Sequence, residues 1–460
     1  MTIQFDRGQF TTEEIEALYE QAKTHLWQNL SNPDAQKRPK IGVKGEGAWT
    51  TDIYGKKYFE ANSVHSCLNL GYGQQELIEA ATEQMKNLAY YTPSSLQVPA
   101  IRLATKLSEL FQGEYTTFFT SSGSEANEVA LKIARQYHIQ NGNPGKYKFI
   151  SHYSGYHGGT LGVHNASATP FYKSDFPGIG SAGFIHVLPP DRYRSPFMDQ
   201  TQSAEFGTAQ YIEGIIQREE PETIAGILVE PVLFAGGCYI PSPEYLQLLS
   251  AICKKYDLLL MVDEVVTGFG RTGKWFGYMH SNGVQPDIIT TAKGLTSAYV
   301  PLASTSVNEN IYSTFKRKGN RFRHFSTMGS HPVGCAVALK NIEIMERDRL
   351  VDRVSRLSQS ILSRLHDLDA CDIVGDVRGR GFMYGIEFVE NKQTKEPLNS
   401  RFMSKISSAC EEKGILVAID EHIIRLNPPL VATEEDLHFL VDALITSVKE
   451  VNNGSSSSMR

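Results

Sequence analysis

The 460-residue chain is 41% hydrophobic and 21% charged, the balance of an ordinary water-soluble globular enzyme with apolar material for more than one domain. Its net charge of −6 is mild, which argues against nucleic acid or an acidic membrane surface as a partner. Six scattered cysteines without a C-x-x-C pair, an N-terminus without an apolar signal core, and no run near the roughly 18 apolar residues of a membrane span lead us to expect a reducing, cytoplasmic setting and no metal centre.

In chain order, the stretch Glu13 to Leu30 places Ile15, Leu18, Ala22 and Leu26 at near-helical spacing, which predicts a helix that packs on something else. Asp52-Ile-Tyr-Gly-Lys-Lys-Tyr-Phe sets a Tyr-Gly-Lys turn between short apolar runs and predicts a β-hairpin. Strands are predicted at Thr117–Thr120, Tyr147–Ile150, Ile224–Val229, Leu258–Val262, Ile288–Thr290 and Leu302–Val307. These short apolar runs alternate with amphipathic segments, the pattern of an α/β domain with a mostly parallel sheet. Beyond it, helices over His331–Arg347 and near Val351–Leu368 and a strand over Gly381–Val389 predict an α+β unit, and Asn452-Asn-Gly-Ser-Ser-Ser-Ser-Met-Arg predicts a flexible tail.

Three places carry chemistry. Phe118-Phe-Thr-Ser-Ser-Gly-Ser-Glu-Ala-Asn passes from a strand through a small-residue turn into a helix. Gly123 lets the backbone approach a ligand, and the first-turn N–H groups of Gly123 and Ser124 suit a phosphate; a plain N-cap by Ser122 or Ser124 reads the same residues equally. Leu258-Leu-Leu-Met-Val-Asp-Glu-Val ends a buried strand in Asp263, where a carboxylate either meets a cationic ligand group or caps the next turn. Asp287-Ile-Ile-Thr-Thr-Ala-Lys-Gly runs from a strand straight into Lys293 at the same end of the sheet. A lysine there can form a Schiff base with a cofactor aldehyde, since burial makes its amine nucleophilic.

Together these pieces resemble the class III (ω-amino acid, ornithine and GABA type) aminotransferases of the fold-type I pyridoxal-phosphate (PLP) enzymes. The matching motifs run in order along the chain: Asp52-Ile-Tyr-Gly-Lys-Lys-Tyr-Phe, Ser122-Gly-Ser-Glu-Ala-Asn, Tyr156-His-Gly-Gly-Thr, Val229-Glu-Pro-Val, Val262-Asp-Glu-Val, Gly268-Phe-Gly-Arg-Thr-Gly, Pro286-Asp-Ile-Ile-Thr-Thr-Ala-Lys-Gly, Thr327 with His331-Pro, and Pro428-Pro-Leu. The resemblance implies a large PLP-binding α/β domain over 65–330, its sheet flanked by helices. It also implies a smaller α+β domain built from both chain ends, 1–64 and 331–452, and a flexible tail at 453–460.

By the same resemblance Lys293 would hold the cofactor covalently and shuttle the proton, and Asp263 would keep its ring nitrogen protonated. Gly123 and Ser124 would hold the phosphate, Tyr156 would stack on the ring, and Glu230 and Val265 would adjoin it. Thr327 would reach the phosphate of a neighbouring subunit, which implies a homodimer. Arg425, before Asn427-Pro-Pro-Leu, would grip a substrate carboxylate; Tyr90 and Tyr91 would line the entrance, from their own or the partner subunit. Arg271 is expected to serve structure near the site.

The chain departs from the ornithine and GABA pattern at Leu233-Phe-Ala-Gly-Gly, where Ala235 replaces a glutamate that masks an arginine, and Leu233 and Phe234 make the wall apolar. That favours a pyruvate-using ω-transaminase over a 2-oxoglutarate one. Yet Ser66-Cys67-Leu68 lacks that group's tryptophan, and Val417-Ala-Ile-Asp-Glu-His lacks its mobile arginine. The expected reaction is a ping-pong transfer from an ω-amino acid, a diamine or a related primary amine to a 2-oxo acid. An aminomutase or racemase of the same fold, and a scaffold that has lost catalysis, are its rivals.

Overall fold

The computed structural model describes residues 10–29, 38–169, 173–174, 176, 183–197 and 203–456. Its first helix, Thr12–His25, opens with a reciprocal cap: Thr11 Oγ1 accepts from Glu14 N at 3.2 Å and Glu14 Oε2 accepts from Thr11 N at 2.7 Å. The helix ends earlier than the sequence predicts because Leu26 turns extended, and Leu30 lies outside the described residues. Of its apolar positions only Ile15 is buried; Leu26 and Trp27 stand exposed just beyond the helix.

Strands β1 (Gly42–Glu46), β2 (Trp49–Asp52) and β3 (Lys57–Glu60) form an antiparallel meander. The predicted hairpin is β2–β3. Asp52 Oδ1 closes its turn by accepting from Tyr54 N at 3.0 Å and Lys56 N at 2.9 Å.

The central sheet contains β4 (Tyr115–Thr120), β5 (Lys148–His152), β6 (Phe184–Val187), β7 (Ile224–Val229), β8 (Leu259–Asp263), β9 (Ile288–Thr291) and β10 (Ala303–Asn308), in the order β4-β10-β9-β8-β7-β5-β6. Only β10 runs against the others. All six predicted strands are present, Ile224–Val229 with its predicted bounds and the others with ends shifted by at most two residues. The seventh, β6, escapes a hydrophobicity reading because it is a four-residue, mostly half-buried edge strand. By contrast β7 and β8 are buried throughout, which is why they read as unbroken apolar runs. Successive residues serve opposite faces, with a register shift between Ile224 and Gly226 that brings Ala225 and Leu228 to one side. Ala225, Leu228, Leu259 and Met261 pack with Val129, Ala130 and Ile133 of the helix Gly123–Gln140. Ile227, Val229, Leu260 and Val262 join the larger core with Ile212, Ile216, Tyr245 and Leu249 of the helices Ala204–Arg218 and Pro243–Tyr256.

The helices Pro332–Arg347 and Leu350–Leu365 follow, close to their predicted spans; a 3-10 turn, His366–Ala370, completes the second. Next come β11 (Val374–Arg380), β12 (Met383–Asn391), β13 (Glu396–Pro397), β14 (Ile415–Leu416), β15 (Ala418–Asp420) and β16 (Ile423–Leu426). A sheet in the order β11-β12-β16-β15 carries β13 at its side, while β14 pairs in parallel with β3. One sheet therefore draws on both ends of the chain. Gly381, predicted to begin a strand, instead makes the turn between β11 and β12 at φ +59°. The last helix, Glu434–Ser456, runs past residue 453, where the tail was expected to begin, because each added residue gains a helical bond. Residues 457–460 lie outside the described part.

Candidate active site

The register of the parallel strands lines up their carboxyl ends: Val229 pairs with Val262, and Asp263 with Thr290. The residues that leave those ends, Glu230 after β7, Asp263 at the end of β8 and Lys293 after β9, therefore converge on one edge of the sheet, the place where open α/β folds take ligands. The turn after β4 reaches the same edge. Built on Gly123, a Cβ would stand 3.0 Å from Val265 Cγ1 and 3.6 Å from Ala292 Cβ, so glycine is what lets the helix start lie against the Asp263 and Lys293 segments.

Ser122 caps this helix, accepting from Glu125 N at 3.3 Å, while the N–H groups of Gly123 and Ser124 in its first turn have no carbonyl acceptor within the helix. A cap by Ser122 leaves the first-turn N–H groups open to an anion, so the two readings of this turn are compatible. Ser124 Oγ accepts from Gly159 N at 3.2 Å and ties the turn to the loop that carries the half-buried Tyr156.

Asp263 is buried and fully engaged. Its Oδ2 accepts from Asn127 Nδ2 at 2.7 Å and meets His157 Nδ1 at 2.8 Å, and its Oδ1 accepts from Val265 N at 3.0 Å. Asn127 is itself fixed, donating to His157 O at 2.8 Å and accepting from Thr290 Oγ1 at 2.8 Å. Burial alone would lower the His157 imidazole; the hydrogen bond and charge of Asp263, with Glu230 behind, overcome it and raise it above the ordinary histidine value. Glu230 accepts from Tyr156 N at 3.0 Å, and burial pushes its carboxyl up to about 7. The sequence alone assigns no role to His157 or Asn127, although both stand inside the matching motifs. Asn127 is four residues after Gly123, hence on the same helix face, and His157 directly follows Tyr156.

Lys293 follows β9 with φ +46°, a left-handed conformation held by its surroundings. Asn341 Nδ2 donates to Gly294 O at 2.9 Å, and a Cβ on Gly294 would lie 2.6 Å from Asn69 Nδ2, so a larger residue could not follow the lysine. The Lys293 amine is pushed below the usual lysine value, first by burial and against the charges of Asp263 and Glu230. A helix start for an anion, a carboxylate paired with a histidine and a lysine of lowered basicity suit a flat ligand with a phosphate, a ring nitrogen and an aldehyde. Pyridoxal phosphate fits these residues.

Arg425, on β16, is half-buried; its Nη1 donates to Phe234 O at 3.3 Å and its guanidinium lies 5.5 Å from the Phe234 ring centre. Its Nε is buried with no partner among the described residues. Leu233 and Phe234 are themselves fully buried, so Phe234 backs the arginine. Arg271 is fully buried and donates from Nη1 to Asn427 O at 3.1 Å and Pro428 O at 2.5 Å, which anchors the segment just after Arg425. Tyr90 and Tyr91 are exposed, and Tyr90 OH donates to the carbonyl of the exposed Thr327 at 2.8 Å.

Comparison with known proteins points to one family. The family model for class-III aminotransferases matches residues 31–448. An uncharacterized aminotransferase of Bacillus subtilis is 45% identical over 420 residues, 89% of this chain and 92% of that protein. The taurine–pyruvate aminotransferase of Bilophila wadsworthia is 36% identical over 446 residues, 93% of this chain and 96% of that protein. The crystal structure of an amine transaminase from an uncultivated Pseudomonas species, in its PLP-bound form, superposes with a TM-score of 0.89 at 31% identity, covering 93% of this chain and 99% of that one. The fold is that of the fold-type I transaminases, and the chain is an enzyme of the class-III aminotransferase family.

Proposed function

We propose that the protein moves an amino group from an ω-amino acid, a diamine or a related primary amine to a 2-oxo acid, pyruvate ahead of 2-oxoglutarate, in a ping-pong reaction with PLP as its cofactor. The observation that carries this reading is the convergence of Lys293, Asp263 and the Gly123–Ser124 helix start on one sheet edge. When bound, PLP supplies an aldehyde for the amine and a protonated ring as an electron sink. Asp263, charge-paired with His157, holds the proton at the ring nitrogen. Lys293 Nζ, with its lowered basicity, takes and returns the proton at the substrate carbon. Tyr156, Glu230 and Val265 would hold the ring, and Arg425 would orient an acidic substrate end. Support for pyruvate comes from Ala235, which offers no carboxylate to screen Arg425, and from the taurine–pyruvate relative.

A homodimer belongs to the same proposal. Tyr90, Tyr91, Leu96, Val98, Phe325 and Met328 are exposed, and the Tyr90–Thr327 bond joins their two segments into one apolar patch, a surface suited to a partner subunit. Among the described residues no helix is long and apolar enough to cross a membrane. All six cysteines are free, in keeping with the cytoplasm as the proposed compartment.

The test is a half-reaction screen on the PLP-loaded enzyme. A panel of β-alanine, taurine, GABA, ornithine, putrescine, 1-phenylethylamine and alanine is mixed with it while the cofactor's visible absorption is followed. The reading expects one donor to bleach the band and pyruvate to restore it. Bleaching by none, with rearrangement or racemisation of an added amino acid, would replace it with the isomerase reading.

A further inference from the structure

The sheet of β11, β12 and β16 sets two arginines in one row. Arg378 pairs across the strands with Gly385, and Gly385 pairs with Arg425. Directly opposed residues of antiparallel strands project on the same face, so the two guanidinium groups flank the glycine between them. The turn Phe234–Cys238 lies on that glycine. A Cβ on Gly385 would stand 2.9 Å from both Gly237 O and Cys238 Cβ, so any larger residue there would lift the turn from the sheet.

Both arginines hold the turn, one at each end. Arg378 gives two hydrogen bonds to Gly237 O, from Nη2 at 2.7 Å and Nε at 3.0 Å, and its Nε also reaches Cys238 O at 3.2 Å. Its Nη1 is occupied by Asp376 Oδ2 at 2.6 Å and Glu387 Oε2 at 2.8 Å. Arg425 takes the other end. Phe234 O accepts from Arg425 Nη1 at 3.3 Å, and from Gly237 N and Cys238 N at 3.2 Å each, so the turn closes on the carbonyl that Arg425 holds. Two carboxylates commit Arg378 to the fold, whereas the Nε of Arg425 is buried without a partner among the described residues. The row sets one arginine fixed in structure beside one left for a ligand.

Resting on the reading of Arg425 as the grip on an acidic substrate end, we propose that Arg378 and Gly385 are positioning residues for that grip: they seat the turn Phe234–Cys238 so that the Phe234 carbonyl fixes the Arg425 guanidinium for a carboxylate or a sulfonate. The bond to Phe234 O fixes one edge of a rigid planar fork and so orients its remaining N–H groups, on which two-point recognition of an oxyacid depends. Moving the turn by about 1 Å moves the fork and weakens acid recognition. Lys293 and Asp263 stand on the other sheet and keep their geometry.

The test uses two variants of the PLP-loaded enzyme. Gly385→Ala leaves the Arg378 ion pairs in place and pushes the turn from below. Arg378→Lys keeps a positive charge between Asp376 and Glu387 and cannot fork onto Gly237 O. Binding of propionate, an acid without an amine, is measured by calorimetry, and each variant is expected to bind it about tenfold more weakly than the wild type. In the donor half-reaction the half-saturating concentration of β-alanine should rise about tenfold with the maximal rate held, and that of 1-phenylethylamine should move less than about twofold. A merely structural role would shift both donors alike. Either variant decides alone if the other does not fold. Wild-type propionate binding in a folded variant, or equal shifts for the two donors, would overturn the proposal. Propionate binding needs no turnover, and Arg425→Gln separates the two levels of the reading. Loss of propionate binding in Arg425→Gln, but not in the two variants, refutes the positioning role alone; wild-type binding in Arg425→Gln refutes the grip and the positioning role together.

Discussion

His157 Nδ1 lies 2.8 Å from Oδ2 of Asp263, with both side chains closed off from solvent. The carboxylate proposed to meet the ring nitrogen thus has a buried cationic partner behind it, and Asn127 fixes its angle. Replacing the imidazole by a neutral side chain leaves that carboxylate to be neutralised by the cofactor alone. His157→Asn is expected to lower turnover about tenfold or more and to weaken PLP retention on dialysis. The pair also has a pH signature. Because the folded-state value is raised, the stabilisation is fully present below the unfolded value of 6.5 and is lost as pH rises through the folded one. The gap in melting temperature between wild type and variant should therefore be widest on the acid side and narrow towards alkaline pH.

Lys293→Ala should still bind PLP, now removable by gel filtration, with turnover down about three orders of magnitude or more. Asp263→Asn keeps the shape and removes the charge, and should lose most activity as well. Wild-type rates in either variant would show that the sheet edge is not where the chemistry happens.

Glu387, on β12, is a buried carboxylate shared by two guanidinium groups and an imidazole. Arg194 Nε lies 2.5 Å away, Arg378 Nη1 2.8 Å and His422 Nε2 3.4 Å. Burial alone would raise its carboxyl; the His422 hydrogen bond and the two guanidinium groups reverse this and bring it down to about 2. Arg378 also holds Gly237 O at 2.7 Å, just past the Phe234 that backs Arg425. Glu387→Gln should cost about 3–5 kcal/mol, as losing one partner of a buried pair does. The depressed value means the wild type keeps this stabilisation above 4.5 and loses it as pH falls towards 2. Acid unfolding curves should therefore converge for wild type and variant.

Between β3 and the helix Gln75–Leu88, Ser63–Ser66 makes one turn of left-handed helix without a glycine, and Val64→Gly tests its strain. Val64 is 41% exposed, so little packing is lost, and glycine adopts its φ of +48° freely. The relief of about 1–2 kcal/mol exceeds the entropic cost of about 0.5–1 kcal/mol that glycine brings. A raised melting temperature is expected; a fall would show that the turn is unstrained.

The predicted strands and the three chemical motifs were legible in the sequence because each depends on local order: an unbroken apolar run, a small-residue turn before a helix, a lysine directly after a strand. What stayed hidden depends on contacts between distant segments. His157 and Asp263 stand 106 residues apart and nothing in either neighbourhood announces the other. The left-handed turn at Ser63–Ser66 had no glycine to reveal it. Phe234 read as an apolar wall, but its burial under Arg425 follows only from β16 crossing next to the segment after β7.

The pairing of β3 with β14 also sets a timetable for synthesis. Ile415 lies opposite Phe59, so the hairpin leaves the ribosome while its last strand is still roughly 350 residues from being made, about 20–70 s at ordinary elongation rates. Through that interval the outer edge of β3 is an open template, a hazard when many chains emerge side by side on one messenger. Lys56 and Lys57, exposed at the start of that edge, put positive charge where a neighbouring nascent strand would dock, and guard the hairpin until its own partner arrives.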